Sequence, residues 1–293
     1  MIASIDSASE PVFFDFVEIG TADFDTLIEK ADQNTRGISI EPVGRYLSNL
    51  PNKAKCLKVN AAISNYDGEA RIFLLNPEMF AQYGLPDWLR GCSSINDMHP
   101  TVLSELNGRS IDFRDVGVIE KIPVFRLKTL LIHYDVGGVY LLKIDTEGHD
   151  TVILKDFFRD APRRLWPHRI SFENNVLSDN DAIQETLWML ISMGYDLISF
   201  GENTEFALNL RRCRRGAGFS QKIDGYYLSG YPEGFEPQLR LLPYENTLTH
   251  AKRYCADHEC GGVTYQDGRF EIRAGTYLRK DAAVSDVCSW IYY

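Results

Sequence analysis

The sequence predicts an α/β protein on an open, mostly parallel sheet, with a small α+β appendage at its C-terminal end. Apolar runs of strand length alternate with segments whose apolar residues recur at helical spacing. The run Val139 to Ile144 gives way abruptly to a polar turn holding Asp145, Glu147, His149 and Asp150, after which a helical pattern begins. Acidic groups at the carboxyl edge of a parallel sheet stand where ligands bind. A glycine turn after the first strand is followed about 20 residues later by a carboxylate at the tip of the second, as in a nucleotide-binding half.

In chain order, residues 12 to 20 form an apolar strand closing on Glu18 and Gly20, and Phe24, Leu27, Ile28 and Ala31 mark a helix. Arg36 to Glu41 is a short strand that Pro42, which has no N–H to donate, brings to an end. A helix from Val43 to Leu50 and a third strand from Leu57 to Ile63 continue the alternation. Asn65-Tyr66-Asp67-Gly68 signals a hairpin into Ala70 to Leu75 at the sheet edge. The long segment from Asn76 to Asp112 reads as a functional loop, a lid or substrate wall, in which Tyr83 and Trp88 suit either stacking on a sugar ring or pinning the loop.

A strand from Val118 to Val124 and a helix from Leu127 to Tyr134 lead to the acidic turn. Beyond it come a helix to Phe158, a strand Arg169 to Glu173 tipped by Asn174 and Asn175, and a helix Asp179 to Met193 that Gly194 closes. Strands follow at Tyr195 to Phe200, Phe206 to Leu210 and Tyr226 to Leu228. These divisions give a main domain over 1–229, a linker over 230–241 and a small cysteine-containing unit over 242–293. That last unit should hold a helix from Thr247 to His258, a hairpin turning at Asp267-Gly268 and a strand near Trp290.

The chain has 293 residues, enough for one large domain and an appendage, and at 44% hydrophobic and 25% charged its composition is that of a globular protein. Net charge is −10, and the only dense basic cluster is Arg211, Arg212, Arg214 and Arg215, so duplex nucleic acid is not an expected partner. No apolar run approaches the roughly 20 residues that cross a bilayer. Met1 to Glu10 lacks the pattern of a signal peptide, and the expected compartment is the cytoplasm, where the six cysteines default to thiols. Pairing among Cys255, Cys260 and Cys288 cannot be assigned from their order.

Two residues of the first half have a direct chemical reading. Gly20 lets the backbone approach a ligand, and a carboxylate at Glu41 can accept from both hydroxyls of a ribose, each such bond contributing roughly 1.5–3 kcal/mol. The turn lacks the further glycines of the dinucleotide fingerprint, so a nucleoside without a pyrophosphate suits it better. An ordinary strand–helix turn remains the alternative. For the acidic turn the alternative is a helix cap, with Asp145 or Thr146 capping and Glu147 favoured by the helix dipole.

Taken together, Glu18-x-Gly20, Glu41-Pro42, Asn60-Ala61-Ala62-Ile63-Ser64 with Asp67-Gly68, Leu142-Lys143-Ile144-Asp145-Thr146-Glu147-Gly148-His149 and Phe172-Glu173 resemble the FkbM family of S-adenosylmethionine-dependent O-methyltransferases over about residues 12 to 200. In that family the first motif is usually Asp-x-Gly-x-x-x-Gly; here Glu18 leads, and Asp23 with Phe24 occupies the region of the later glycine. The resemblance implies a Rossmann-like, seven-stranded sheet, mostly parallel with one antiparallel strand. It further implies an S-adenosylmethionine site at Glu18, Gly20, Thr21, Asp23, Glu41, Pro42, Asn60, Ala61, Ala62 and Asp145, with Glu41 on the ribose and Asn60 to Ala62 beside the adenine. The acceptor would lie over the strand tips at Asp145 and Glu173, roofed by residues 77 to 110.

Methyl transfer to a hydroxyl needs an in-line arrangement and a base for the hydroxyl proton. Candidates for that base are Asp145, Glu147, His149 and Glu173 from the strand tips, with His99 from the loop; Asp145 ranks first, followed by Glu173 and His149, while Glu147 and Asp150 read more as support for the helix start. Tyr83, Trp88, His99 and Asn174 are candidate acceptor contacts, and Asp145, Glu173 and Asn174 are the oxygen ligands a divalent metal would use. The expected function is O-methylation of a sugar hydroxyl in a glycan. A small-molecule natural product as acceptor, and a non-catalytic binding protein on the same fold, are the alternatives. The last unit resembles the core of apple/PAN-type modules, which bind protein or carbohydrate; packing on the main domain or a homodimer contact would account for it equally.

Overall fold

A computed structural model describes residues 12–95, 97–175, 178–209, 219, 222–228, 247–257, 260–274, 278–279 and 287–292. The protein is mixed α/β, and its largest sheet has seven strands and is mostly parallel. The chain divides into two compact units after Ser178.

The first unit begins with β1 (Val12–Ile19), α1 (Leu27–Lys30), β2 (Gly37–Ile40), α2 (Gly44–Asn49), β3 (Cys56–Val59) and β4 (Ala62–Ser64). It continues with β5 (Gly68–Leu75), α3 (Pro77–Tyr83), β6 (Ser94–Ile95), α4 (Pro100–Gly108), α5 (Phe113–Val116) and β7 (Gly117–Arg126). Then come α6 (Leu127–His133), β8 (Val136–Ile144), α7 (Asp150–Asp160) and β9 (Arg169–Glu173). Its parallel strands run in the order β9-β8-β1-β2-β3. Because both faces of such a sheet are covered, β1, β2 and β8 are apolar almost throughout, and Val17, Ile38 and Ile40 are fully buried.

Register decides what meets at the sheet's edge. Ile19 is level with Ile40 on one side and Ile144 on the other, Ile40 with Val59, and Ile144 with Phe172. The next residue on each strand therefore arrives at one rim: Gly20, Glu41, Asn60, Asp145 and Glu173.

Four expectations need correction. The third strand is not continuous from Leu57 to Ile63. It breaks at Asn60, whose side-chain amide donates to the carbonyls of Glu41 and Pro42 at 2.9 and 2.8 Å; β3 stays in the parallel sheet, and β4 joins a second sheet of order β4-β7-β5-β6. The Asp67-Gly68 turn does not make a hairpin. Asp67 accepts from the Arg126 amide at 2.8 Å and the Thr129 hydroxyl at 2.9 Å, which carries the chain around the end of β7, so that Val124 is level with Ala62 on one side and Gly68 on the other.

Residues 76 to 112 are not a bare loop either. Asn76 caps α3 ahead of Pro77, Gly84 ends it in the left-handed region (φ 60°), and His99 caps α4 ahead of Pro100. Phe80, Leu85, Leu89, Val102 and Leu106 pack with Leu75 and Val116 into a core of their own. Helices of seven and nine residues present too few turns for their periodicity to stand out. α1 is shorter than its pattern suggests, because Ala22 (φ 46°) and Asp25 (φ 52°) turn the chain first and Thr26 with Glu29 forms a capping box.

The second unit holds α8 (Asn180–Ser192) and the antiparallel pair β10 (Tyr195–Ser199) and β11 (Asn203–Leu208). It also holds β12 (Ile223–Asp224), β13 (Tyr227–Leu228), α9 (Leu248–Asp257), β14 (Gly262–Gln266), β15 (Arg269–Arg273), β16 (Leu278–Arg279) and β17 (Cys288–Ile291). A sheet of order β12-β17-β14-β15 and the pair β13-β16 form here, and Asp267 (φ 50°) with Gly268 (φ 74°) makes the expected hairpin turn. Cys255, Cys260 and Cys288 are buried thiols in a core with Val263, Ile272 and Trp290. The proposed linker 230–241, the arginine cluster and Cys213 lie outside the described residues. Among the described residues no helix is long and apolar enough to cross a membrane.

Candidate functional site

The rim formed by β1, β2, β8 and β9 opens into a cavity of about 930 Å³ within the first unit. Its floor comes from the strand tips and its roof from Gly91, Ser93 to Ile95, His99 to Thr101 and Ser104, part of the segment 76–112 read from sequence as a lid or substrate wall.

At the β1 and β2 side, Gly20 (φ 76°) lies so close to β8 that a Cβ on it would stand 1.8 Å from the Asp145 carbonyl oxygen, so only glycine fits. Glu41 is 4% exposed and is held from below, accepting from the amides of Ala22 and Val43 at 2.8 Å each. Burial pushes its carboxyl up to about 7 against those two bonds. Each oxygen keeps a further lone pair for a ligand hydroxyl. Pro42, Tyr46, Ala61 and Ala62 complete this side, and the Tyr46 hydroxyl donates to the Arg90 carbonyl at 3.1 Å.

The β8 turn bears most of the charge. The Asp145 amide donates to the Ile19 carbonyl at 3.0 Å, which seats the residue between the tips of β1 and β9. Asp150, 1% exposed, supports the turn: it accepts from the Thr146 amide and hydroxyl and, at 2.9 Å, from the Glu173 amide. Glu147 has a different role from the helix-start support expected of it. It stands in the left-handed region (φ 52°) ahead of Gly148 (φ 92°), outside α7, and lines the cavity. Burial, followed by repulsion from Asp145 and Asp150, pushes it up to about 7. The Thr-Glu-Gly order holds the signal for this, since a glycine two residues before the helix leaves no room for Glu147 in its first turn.

Glu173 ends β9 with Oε2 buried and without a hydrogen-bond partner among the described residues, while Asn175 bonds its carboxylate. Burial and then the charges of Asp145, Glu147 and Asp150 push it up to about 8. Two histidines border this side, both shifted down by burial and so neutral near pH 7. His99 is 3% exposed; its Nδ1 accepts from the Thr101 amide at 3.2 Å and its ring bonds the Glu147 backbone, fastening roof to turn. His149 Nε2 stands 3.0 Å from the Ser64 hydroxyl.

Of the residues expected at the site, Gly20, Glu41, Pro42, Ala61, Ala62, His99, Asp145, His149 and Glu173 line the cavity. The others are placed elsewhere. Glu18 is fully buried below the rim, paired with Lys143 at 3.0 Å and accepting from the Leu27 amide at 2.9 Å. Asp23 holds Arg90 at 2.9 Å and the Asn49 amide at 2.8 Å, and Asn60 is spent on the break between β3 and β4. The Thr21 hydroxyl donates to the Ala22 carbonyl. Tyr83 packs on the core under the roof, and Trp88 is half exposed; neither they nor Asn174 line the cavity. Glu147, a candidate base that the sequence reads as helix-start support, lines the cavity; missed from sequence were the half-exposed ring of Phe24 at the mouth and the roof hydroxyls of Ser93, Ser94, Thr101 and Ser104.

Among the described residues four carboxylates line the cavity and no Lys or Arg does. A phosphate-bearing ligand would find no cation there, whereas a ribose on Glu41 and a sulfonium facing acidic groups fit S-adenosylmethionine. Among the described residues no group of three or more His, Cys, Asp or Glu side chains is placed to hold a metal ion; of the expected oxygen ligands, Asp145 and Glu173 line the cavity and Asn174 does not.

The comparisons with known proteins agree with this geometry in one respect. A family model described as methyltransferase FkbM domain matches residues 16–197, which contain every residue of the cavity. No curated protein and no solved structure matches the chain.

Proposed function

Because the chain belongs to the FkbM methyltransferase family, we propose that it transfers a methyl group from S-adenosylmethionine to a hydroxyl, and that the acceptor is a sugar or a similar polyol. The observation that carries this is the cavity that, among the described residues, is lined by four carboxylates without a Lys or Arg, with a backbone-held Glu41 at one end. Glu41 accepts from the ribose, and Gly20 keeps the backbone low enough for the rest of the cofactor to lie over β1. S-adenosylmethionine, when bound, supplies a methyl group activated by a sulfonium.

Asp145 is the base. It stands between the cofactor half of the rim and β9, so the hydroxyl it deprotonates lies beside the cofactor. A base so placed contributes typically about 10²–10⁴-fold, and holding the reactants in line contributes more. His149, neutral and beside Ser64, orients the acceptor, and the serine and threonine hydroxyls of the roof suit a polyol. The aromatic stacking expected of Tyr83 and Trp88 is not part of this reading.

Calorimetric titration with S-adenosylmethionine tests it. Binding should weaken about ten- to a hundredfold in Glu41→Gln, which loses a charged acceptor. Asp145→Asn should retain cofactor binding and lose at least about a hundredfold in methyl transfer. No binding by the parent chain at high cofactor concentration would sink the enzyme reading, and an Asp145→Asn rate near the parent's would remove Asp145 as base.

A further inference from the structure

The two ends of the rim are far apart. Glu41 and Glu173 follow strands three positions apart in the sheet, a separation of about 14 Å at the usual strand spacing. A cofactor seated over β1 and β2 therefore leaves the β8 and β9 half, with Glu147 and Glu173, to the acceptor. This half holds more carboxyl groups than a neutral sugar explains. Asp145, Glu147, Asp150 and Glu173 repel one another there, and Glu173 Oε2 is buried in the cavity wall without a donor among the described residues.

Among the described residues no Lys or Arg lines the cavity to offset them. Lys143 is engaged by Glu18, and Arg90 by Asp23. Among the described residues no group of three or more His, Cys, Asp or Glu side chains is placed to hold a metal ion. The chemistry that completes such a pair is an N–H donor with a positive charge, because an ammonium has three N–H donors, can bond more than one carboxylate at once, and offsets their mutual repulsion. Resting on the methyltransferase reading above, we infer that the acceptor bears a protonated amine held between Glu147 and Glu173, so that the substrate class is amine-bearing sugars or polyols and phosphorylated ones are refused.

The test uses the full chain saturated with S-adenosylhomocysteine, which prevents turnover, near neutral pH, and titrates it with glucosamine, glucose and glucose 6-phosphate. Glucosamine should bind about tenfold or more tightly than glucose, as a charge-assisted bond to a buried carboxylate requires, and the phosphate should not bind. Glu147→Gln and Glu173→Gln should each reduce the preference for glucosamine while leaving S-adenosylhomocysteine affinity within a few-fold, which also reports that the variants are folded. Equal affinity for the three sugars, or no glucosamine binding to a chain that binds S-adenosylhomocysteine, overturns the inference. If S-adenosylhomocysteine itself fails to bind, the cofactor reading falls. The same three titrations on the chain alone then decide the amine preference separately.

Discussion

Glu147 illustrates how one residue can serve the site at the expense of the fold. Its backbone is left-handed at φ 52°, a conformation that costs a non-glycine residue roughly 1–2 kcal/mol, and its carboxylate is half-buried among others of like charge. Strain of this kind persists where surrounding structure enforces it, here the Asp150 bonds to Thr146 and Glu173 on one side and the His99 ring on the other. Replacing it by asparagine, which tolerates the left-handed region and carries no charge, should raise stability by about 1 kcal/mol in urea unfolding at pH 8 while weakening amine binding. A loss of stability would mean that the turn is not strained.

At the scale of elements, the roof is tied to the floor through α4. His99 caps that helix with Nδ1 and bonds the Glu147 backbone with its ring, so one buried side chain sets both the helix start and the height of the cavity. His99→Ala should cost about 2 kcal/mol, through the lost cap and an unpartnered buried carbonyl, and should raise KM for the acceptor more than it lowers kcat. Thermal unfolding and steady-state kinetics check the two parts; unchanged stability would show that the roof does not depend on this contact. The rim has the same logic, for the register that aligns Ile19 with Ile40 and Ile144 brings Gly20, Glu41 and Asp145 together.

For the molecule as a whole, the gathered acids set a pH dependence. Glu41, Glu147 and Glu173 sit at about 7, 7 and 8 in the folded protein, against an ordinary value of 4.5, and Asp150 at about 6 against 3.8. The folded state therefore binds more protons than the unfolded state between about pH 4 and 8, and stability falls as pH rises through that window. Facing this cluster are Asp145, His99 and His149; the two histidines, shifted down by burial, act in the opposite sense below their ordinary value of 6.5, so the acids set the slope above it. Thermal melts of the ligand-free chain should show Tm declining from about pH 6.5 to about pH 8.5, with a shallower decline in the Glu147→Gln, Glu173→Gln double variant. A Tm that rises over this range would contradict the burial that raises these acids.

The alternation of strands and helices, the central strands, Gly20 with Glu41 and the acidic turn after β8 are legible in the residues themselves, because parallel strands must be apolar on both faces and ligand groups must follow their ends. Only the tertiary structure decided which acids share the cavity. Glu18 and Glu41 look alike in sequence, yet one lies below the rim with Lys143 and the other at it. The break at Asn60, the passage of β7 between β4 and β5, and the folding of residues 76 to 112 into a roof rest on contacts between distant residues, such as Asp67 with Arg126 and Leu75 with Leu106. Local periodicity holds no information about such pairings. Glu147 and Glu173 became one site for the same reason: β8 and β9 lie side by side in the sheet, and no spacing along the chain records that.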